Sequence, residues 1–406
     1  MSAQRERVAA VRKRHAPDYG LLAVLAMLLV FGLVAVYSSS YALGYAQFDD
    51  ANYFIKKQAI WAGIGTVALV FMMNVDYHLW RRLAALLMLG AILALAAVLL
   101  PGLGVEANGA RRWLALGPLQ GQPSEFAKLA VLIYLSAWLA AKGDQVKDFS
   151  LGVLPFVSMV GLVSALIMLE PDLGTAMMVG VITGSLFFVA GARLKHVFAL
   201  AASAGTAATV LVIAAGYRMD RILSFTSAEH DPTGVGFHTL QLLVAFGSGG
   251  MTGLGLGTSR QKFFYVPGSH TDGILAIIGE ELGFIGAAAV LLLFGLLLWR
   301  GVLIARRAPD AFGAYLATGV VAWIGFQMLI NVGGVTRLLP LTGIPLPLVS
   351  YGGSALAALM AAVGLLLAVS RYTEVAEQPE DAPVRGAVRA STAPTSRPAR
   401  QPGGAR

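Results

Sequence analysis

The chain has 406 residues, of which 57% are hydrophobic and only 13% charged, and its mean hydropathy is +0.71. A soluble domain carries about 25% charged residues, so a soluble globular fold is excluded. The formal net charge is +8, yet the Lys and Arg residues stand at the ends of apolar blocks, which points to a membrane surface and no nucleic acid. Without cysteine, disulfides, thiolate metal sites and thiol redox chemistry are excluded as well.

Residues 1–18 form a basic segment with five Lys and Arg between Arg5 and Arg14, which reads as a cytoplasmic anchor. The apolar stretch from Tyr19 is too long for a signal-peptide core and lacks a small-residue cleavage site, so it reads as a retained span. Apolar blocks near 19–38, 57–75, 79–100, 124–141, 151–169, 173–191, 196–216, 272–299, 311–332 and 351–370 predict ten transmembrane helices. A hydrocarbon core about 30 Å thick needs roughly 20 apolar residues per crossing, and inside it the backbone must satisfy its own hydrogen bonds. The expected fold is therefore an all-α integral membrane protein, with a membrane domain at 19–372. With the N-terminus inside, fourteen Lys and Arg fall on the cytoplasmic side before the last span and nine on the outer side, which places both termini in the cytoplasm. The tail at 373–406, rich in Pro, Ala, Arg, Ser and Thr from Glu377, cannot bury a core and is expected to be disordered.

Cytoplasmic links are short, whereas three outer segments, 101–123, 217–271 and 333–350, are long and rich in Gly, Pro and polar residues. The first carries Asn108-Gly109-Ala110-Arg111-Arg112-Trp113 and then Gln122-Pro123-Ser124-Glu125-Phe126-Ala127-Lys128. Pro123 and Ser124 read as a helix start with Ser124 as N-cap, and Glu125 and Lys128 share a face three residues apart. A capped helix with an ion pair is the plain account. Lys128 nevertheless lies about one turn inside a span, where ionisable groups are costly and usually functional.

The second outer segment ends in a glycine-rich run, Gly247 to Gly257, followed by Arg260, Lys262, His270, Thr271 and Asp272. No βαβ unit surrounds the glycines, so a dinucleotide fold is excluded. Backbone N–H groups beside Arg260 and Lys262 suit a phosphate. Asp272, at the entry to a span, is either a helix cap or a base. Glu280 and Glu281, two turns deeper, need partners or protons. The third segment holds Pro340, Pro345 and Pro347 before Ser350-Tyr351-Gly352-Gly353-Ser354, which predicts an irregular or re-entrant stretch sheltered by neighbouring spans.

Together and in this order, Gln-Pro-Ser-Glu-Phe-Ala-Lys, His-Thr-Asp and Pro-Leu-Pro-Leu-Val-Ser-Tyr-Gly-Gly-Ser resemble the shape, elongation, division and sporulation (SEDS) family over roughly 19–372. Asn-Gly-Ala-Arg-Arg-Trp leans towards its FtsW, cell-division branch over RodA. The resemblance implies a peptidoglycan glycosyltransferase that polymerises lipid II, a disaccharide-pentapeptide on undecaprenyl pyrophosphate, at the outer face of the bacterial cytoplasmic membrane. It implies a divalent cation, Mg2+ or Mn2+, with unassigned ligands. The implied partners are a class B penicillin-binding protein and other division or elongation proteins.

The catalytic candidate is Asp272, whose position the family needs for activity. Arg111, Arg112, Trp113, Gln122, Ser124, Glu125, Lys128, Arg260, Lys262, His270 and Ser350 are the candidate substrate contacts. Two positions depart from the family's pattern. Gly273 replaces a usual Phe and is expected to loosen the helix start, and Arg337 replaces a small residue and adds an outer cation. A lipid II flippase is the rival reading, but it predicts charges along a mid-membrane path and inverted repeats, and neither is evident. A pure scaffold leaves the clustered outer charges unexplained.

Overall fold

The computed structural model describes residues 13–107, 110–117, 119–214, 225–226, 229, 234 and 236–373. The basic residues up to Arg12, the tail from 374, and Asn108, Gly109, Pro118, Arg218 and Arg221 lie outside the described residues.

Among the described residues, ten helices stand where the apolar blocks predict them: α1 (Tyr19–Phe48), α2 (Tyr53–Asn74), α3 (Tyr77–Leu99), α4 (Pro123–Lys142), α5 (Leu154–Leu169), α6 (Leu173–Val189), α7 (Leu194–Ile213), then, after a further helix α8 (Phe237–Ser248), α9 (Ile274–Arg306), α10 (Ala311–Val335) and α11 (Gly353–Ser370). Nine of the described helices are long and apolar enough to cross a membrane; α6, at 17 residues, and α8, at 12, are shorter. Four begin on an aspartate whose carboxylate accepts a first-turn N–H: Asp18, Asp76, Asp172 and Asp310. At α4 the expected cap shifts. Gln122 is the N-cap, Pro123 opens the helix and Ser124 is its second residue, because proline suits the first helical position, where no N–H is needed.

Helix α11 is the centre of the bundle and is buried along nearly its whole length. It lies close against α2 because both helices offer glycines at the contact. A Cβ on Gly364 would stand 2.6 Å from the Leu69 carbonyl oxygen, and one on Gly65 2.6 Å from the Met360 sulfur. Helix α7 is the opposite case, with no buried residue.

Two of the three long connecting segments contain structure that the sequence pattern does not announce. The 101–123 stretch is a three-stranded antiparallel sheet, β2 (Gly104–Ala107), β3 (Ala110–Leu116) and β4 (Leu119–Gly121), following a short strand β1 (Lys13–Arg14) that pairs with β5 (Tyr372–Thr373). The second segment contains α8. The third matches its expectation. Residues 341–346 have no regular structure, and the chain there is packed inside the bundle through Ile344, Leu346, Leu348 and Val349. Its carbonyls are satisfied by helix side chains: Gln327 Nε2 donates to Pro345 O and Asn331 Nδ2 to Ile344 O, each at 2.9 Å.

Candidate active site

A cavity of about 770 Å³ lies where β3, α2, α4, the α5–α6 turn and the irregular 340–355 stretch meet. The β-sheet carries Arg112 and Trp113 to its wall. Arg112 is anchored on the α5–α6 turn, donating Nε to Glu170 O at 2.8 Å and Nη2 to Pro171 O at 2.6 Å. Both acceptors are neutral, so the guanidinium keeps its positive charge and its remaining donors. Arg111 is exposed, 3.6 Å from the Glu106 carboxylate, and does not reach the cavity.

From the start of α4, Gln122, Glu125 and Lys128 all line the cavity. Gln122 Nε2 donates to Asp172 Oδ2 at 2.9 Å. Lys128 is 2.8 Å from Glu125 and 4.8 Å from the centre of the Trp323 ring, and both charges are buried. The i,i+3 spacing makes the pair, and burial makes each partner indispensable to the other. Ser124 points elsewhere: it is fully buried, does not line the cavity, and its hydroxyl has no partner.

Asp272 stands beside the cavity, with its neighbour Thr271 in the lining. A tight turn presents it, with Thr271 N and Gly273 N both donating to Gly268 O. Thr271 Oγ1 donates to Asp272 Oδ1 at 3.0 Å, and Asn331 Nδ2 holds the Asp272 carbonyl at 2.9 Å. Gly268 has φ 66°, and a Cβ there would stand 2.5 Å from Asp272 Oδ1. Glycine thus leaves the carboxylate room that no other residue leaves. Among the described residues no Lys or Arg pairs with Asp272. A half-buried carboxylate without a cation is suited to accept a proton.

His270 braces this turn, its carbonyl accepting from Tyr351 N, while Ser350 fastens the neighbouring irregular stretch. The His270 ring is buried against Phe54 and Tyr351, with centroids 4.6 and 5.4 Å away, and burial pushes its imidazole down to about 4. Ser350 accepts from Leu346 N through its hydroxyl and from Gln58 Nε2 through its carbonyl. Gly273 is enclosed, not loose. A Cβ there would meet Val266 at 3.0 Å and Leu242 at 3.1 Å, and the residue serves as the N-cap of α9.

The glycine-rich run and its two cations do not come to the cavity. Helix α9 breaks at Gly283, at φ 67°, which frees backbone groups on both sides of the break. The glycine run takes them up: Leu254 N and Gly255 N donate to Glu280 O and Glu281 O, while Phe284 N and Ile285 N donate to Gly250 O and Met251 O. A Cβ on Gly249 would stand 1.9 Å from Gly279 O, and one on Gly253 2.2 Å from Glu281 O. The glycines serve this backbone approach and not a phosphate. Glu280 then receives Ser259 Oγ, Arg260 N and Gln261 N, and Glu281 receives Ser38 Oγ and Lys262 Nζ. Lys262 is buried in that pair, and the side chain of Arg260 is exposed and outside the cavity lining. Arg337 is likewise occupied, holding Glu229 at 2.9 Å and Phe225 O at 3.1 Å.

Two charged cavity residues are not among the sequence candidates. Lys57, on α2, lines the wall and donates to Tyr53 OH at 2.5 Å, with no carboxylate partner among the described residues. Asp172 receives Gln122 Nε2, Thr175 N and Thr175 Oγ1. Among the described residues no three His, Asp or Glu side chains gather as a ready cation cage.

Residues 19–375 match the family model described as cell cycle protein, FtsW/RodA/SpoVE. The chain is 46% identical to the stage V sporulation protein E of Bacillus subtilis, over 89% of this chain and 99% of that protein. It is 40% identical to the probable peptidoglycan glycosyltransferase FtsW of Geobacter metallireducens, over 87% and 94%. Among solved structures it is similar to a chain of a peptidoglycan synthase complex described as coordinating polymerization and crosslinking, with a TM-score of 0.71, 30% identity, and coverage of 88% and 98%. The rod shape determining protein RodA of Thermus thermophilus matches with a TM-score of 0.64 and 30% identity, over 88% of this chain and 97% of that one.

Proposed function

The chain belongs to the FtsW/RodA/SpoVE family, and on that footing we propose that it is a peptidoglycan glycosyltransferase that polymerises lipid II during cell-wall synthesis in division. The observation that carries the reading is one cavity joining two uncancelled cations, Lys57 and Arg112, to the edge of the Asp272 turn. Transfer of a sugar from a lipid pyrophosphate needs a base at the acceptor hydroxyl and positive charge at the leaving group. Asp272 takes the proton from the acceptor's sugar hydroxyl. The oxygen so freed bonds to the anomeric carbon of the donor, and the bond from that carbon to the pyrophosphate breaks. The electron pair leaves with the lipid pyrophosphate, whose added charge falls to Arg112 and Lys57. Lys128, paired with Glu125, shapes the wall and contributes little net charge.

A divalent cation belongs to this proposal as a companion of the pyrophosphate. Mg2+ is commonly held by one or two carboxylates plus substrate phosphates. Glu125, the carboxylate beside Lys128 in the cavity lining, would hold it, and the cation would supply charge stabilisation for the leaving group. The cavity end of the bundle faces the outside of the bacterial cytoplasmic membrane, and both termini lie in the cytoplasm. A class B penicillin-binding protein is the partner that crosslinks the product.

Purified protein, with and without that synthase and with and without Mg2+ or Mn2+, is given labelled lipid II, and glycan length is read on gels. Wild type is expected to form polymer and Asp272→Asn, at equal expression and monodispersity, to form none. Polymerisation by Asp272→Asn at the wild-type rate would remove the base assignment. Lipid II translocation in vesicles with no polymer under any condition would replace the enzyme by a flippase.

A further inference from the structure

Behind the cavity wall is a carboxyl group that the reaction above does not use. Glu170 follows α5 in the α5–α6 turn, is fully buried, and neither of its carboxyl oxygens has a hydrogen-bond partner. The same turn holds Arg112 through the backbone carbonyls of Glu170 and Pro171, and the next two residues, Pro171 and Asp172, line the cavity. A buried carboxylate is tolerated only when paired. Here the nearest cation, Arg112, is engaged by the backbone of the turn and not by the Glu170 side chain.

We propose that Glu170 is a positioning residue that works as a neutral acid, leaving the Arg112 guanidinium on the two carbonyls and free to meet the pyrophosphate of the lipid substrate. The inference rests on Arg112 holding that group. The charged groups that face Glu170 are Arg112 from β3 and Asp172 from the start of α6. The Asp172 carboxylate, which accepts from Gln122 and Thr175, disfavours a second negative charge two residues away. Burial first and Asp172 second push the Glu170 carboxyl up to about 8, against the pull of Arg112. Once ionised, Glu170 becomes the better acceptor, since it adds to the hydrogen bond a charge–charge attraction that the neutral carbonyls do not offer. Arg112 is then drawn to the carboxylate, and its charge is lost to the cavity.

The consequence is a weakening of pyrophosphate binding as pH rises through about 8, seen in KM for lipid II more than in kcat. The test measures both constants for the full chain with its synthase partner between about pH 6.5 and about pH 9.5, a range that brackets this ionisation. Affinity for undecaprenyl pyrophosphate is measured over the same range. Wild-type KM is expected to rise several-fold across it, and Glu170→Gln to bring the ratio of high-pH to low-pH KM close to one. Glu170→Asp, which keeps an ionisable group, should retain a rise. Superimposed profiles for wild type and Glu170→Gln overturn the proposal, and so does a flat wild-type profile, which needs no variant at all. If no polymer forms at any pH, the functional reading fails. Undecaprenyl pyrophosphate affinity still decides the inference, which stands only if that affinity falls with pH in wild type and not in Glu170→Gln.

Discussion

Lys262 Nζ lies 2.7 Å from Glu281 Oε1, and both side chains are closed off from solvent. Ser38 of α1 donates to the same carboxylate, and Lys262 also sits 4.9 Å from the Tyr41 ring centre. One charge pair therefore fastens α1, the loop before Asp272 and α9 together. Removing one partner of a buried pair leaves the other uncompensated, at a cost of about 3–5 kcal/mol. Lys262→Met is expected to lower Tm in detergent strongly, and Lys262→Met with Glu281→Met to recover much of the loss. A Lys262→Met protein that melts like wild type but binds lipid II more weakly would return Lys262 to the role of a phosphate contact.

The glycine run makes a second prediction. Gly253 has φ 79°, and a Cβ there would lie 2.2 Å from the Glu281 carbonyl oxygen, at the repaired break in α9. Gly247 sits in α8 with nothing near its Cβ direction. Gly253→Ala is expected to destabilise by more than about 2 kcal/mol through strain and lost backbone bonds. Gly247→Ala is expected to be neutral or to stabilise by up to about 1 kcal/mol, since alanine is the better helix former. Thermal melts of the two variants in one detergent compare them directly. Equal melting would mean that the glycines do not support the break.

What the sequence reveals and what it hides differ for physical reasons. The helices are legible because each is a long apolar block, a local property. Asp272, Glu125 and Lys128 are legible because charge at the edge of an apolar block is expensive. The β-sheet at 104–121 is hidden by its short strands and by the glycines that interrupt the pattern, and α8 by the polar and glycine residues around it. Lys57 looks like one of two interfacial lysines. Its place in the cavity depends on α2 lying against α11, through glycines whose importance appears only once the two helices are side by side. Lys262 misleads for the same reason: a cation near glycines suits phosphate by pattern, while the carboxylate that captures it comes from a helix about 20 residues on.

Arg112 makes the third prediction. Its Nε and Nη2 reach two successive carbonyls at once, a fork that an ammonium group cannot reproduce. Arg112→Lys keeps the charge and loses the anchor. Each bond from a charged donor contributes about 1.5–3 kcal/mol, so kcat/KM for lipid II is expected to fall by about tenfold or more. Most of the fall should lie in KM, with the fold intact by size-exclusion profile. A lysine variant with unchanged KM would show that the charge alone matters and that the turn does not position it.

Glu170 makes the last prediction, this time for stability. Its carboxyl moves from an ordinary 4.5 to about 8 on folding, so the folded state binds the proton more tightly than the unfolded one. Below about 4.5 both states are protonated and the contribution is fully present. As pH rises from there, the unfolded chain releases the proton while the folded one keeps it, and stability falls until the folded group also ionises, at about 8. A tenfold difference in proton affinity between the two states corresponds to about 1.36 kcal/mol, which makes the loss on the order of a few kcal/mol. Glu170→Gln removes the titrating group. Its Tm is therefore expected to decline less than that of wild type between about pH 5 and about pH 8, and to be the higher of the two at the upper end. Parallel Tm curves for the two proteins would mean that the carboxyl is paired or hydrated in the folded state. Glu170 could not then be the neutral acid behind Arg112.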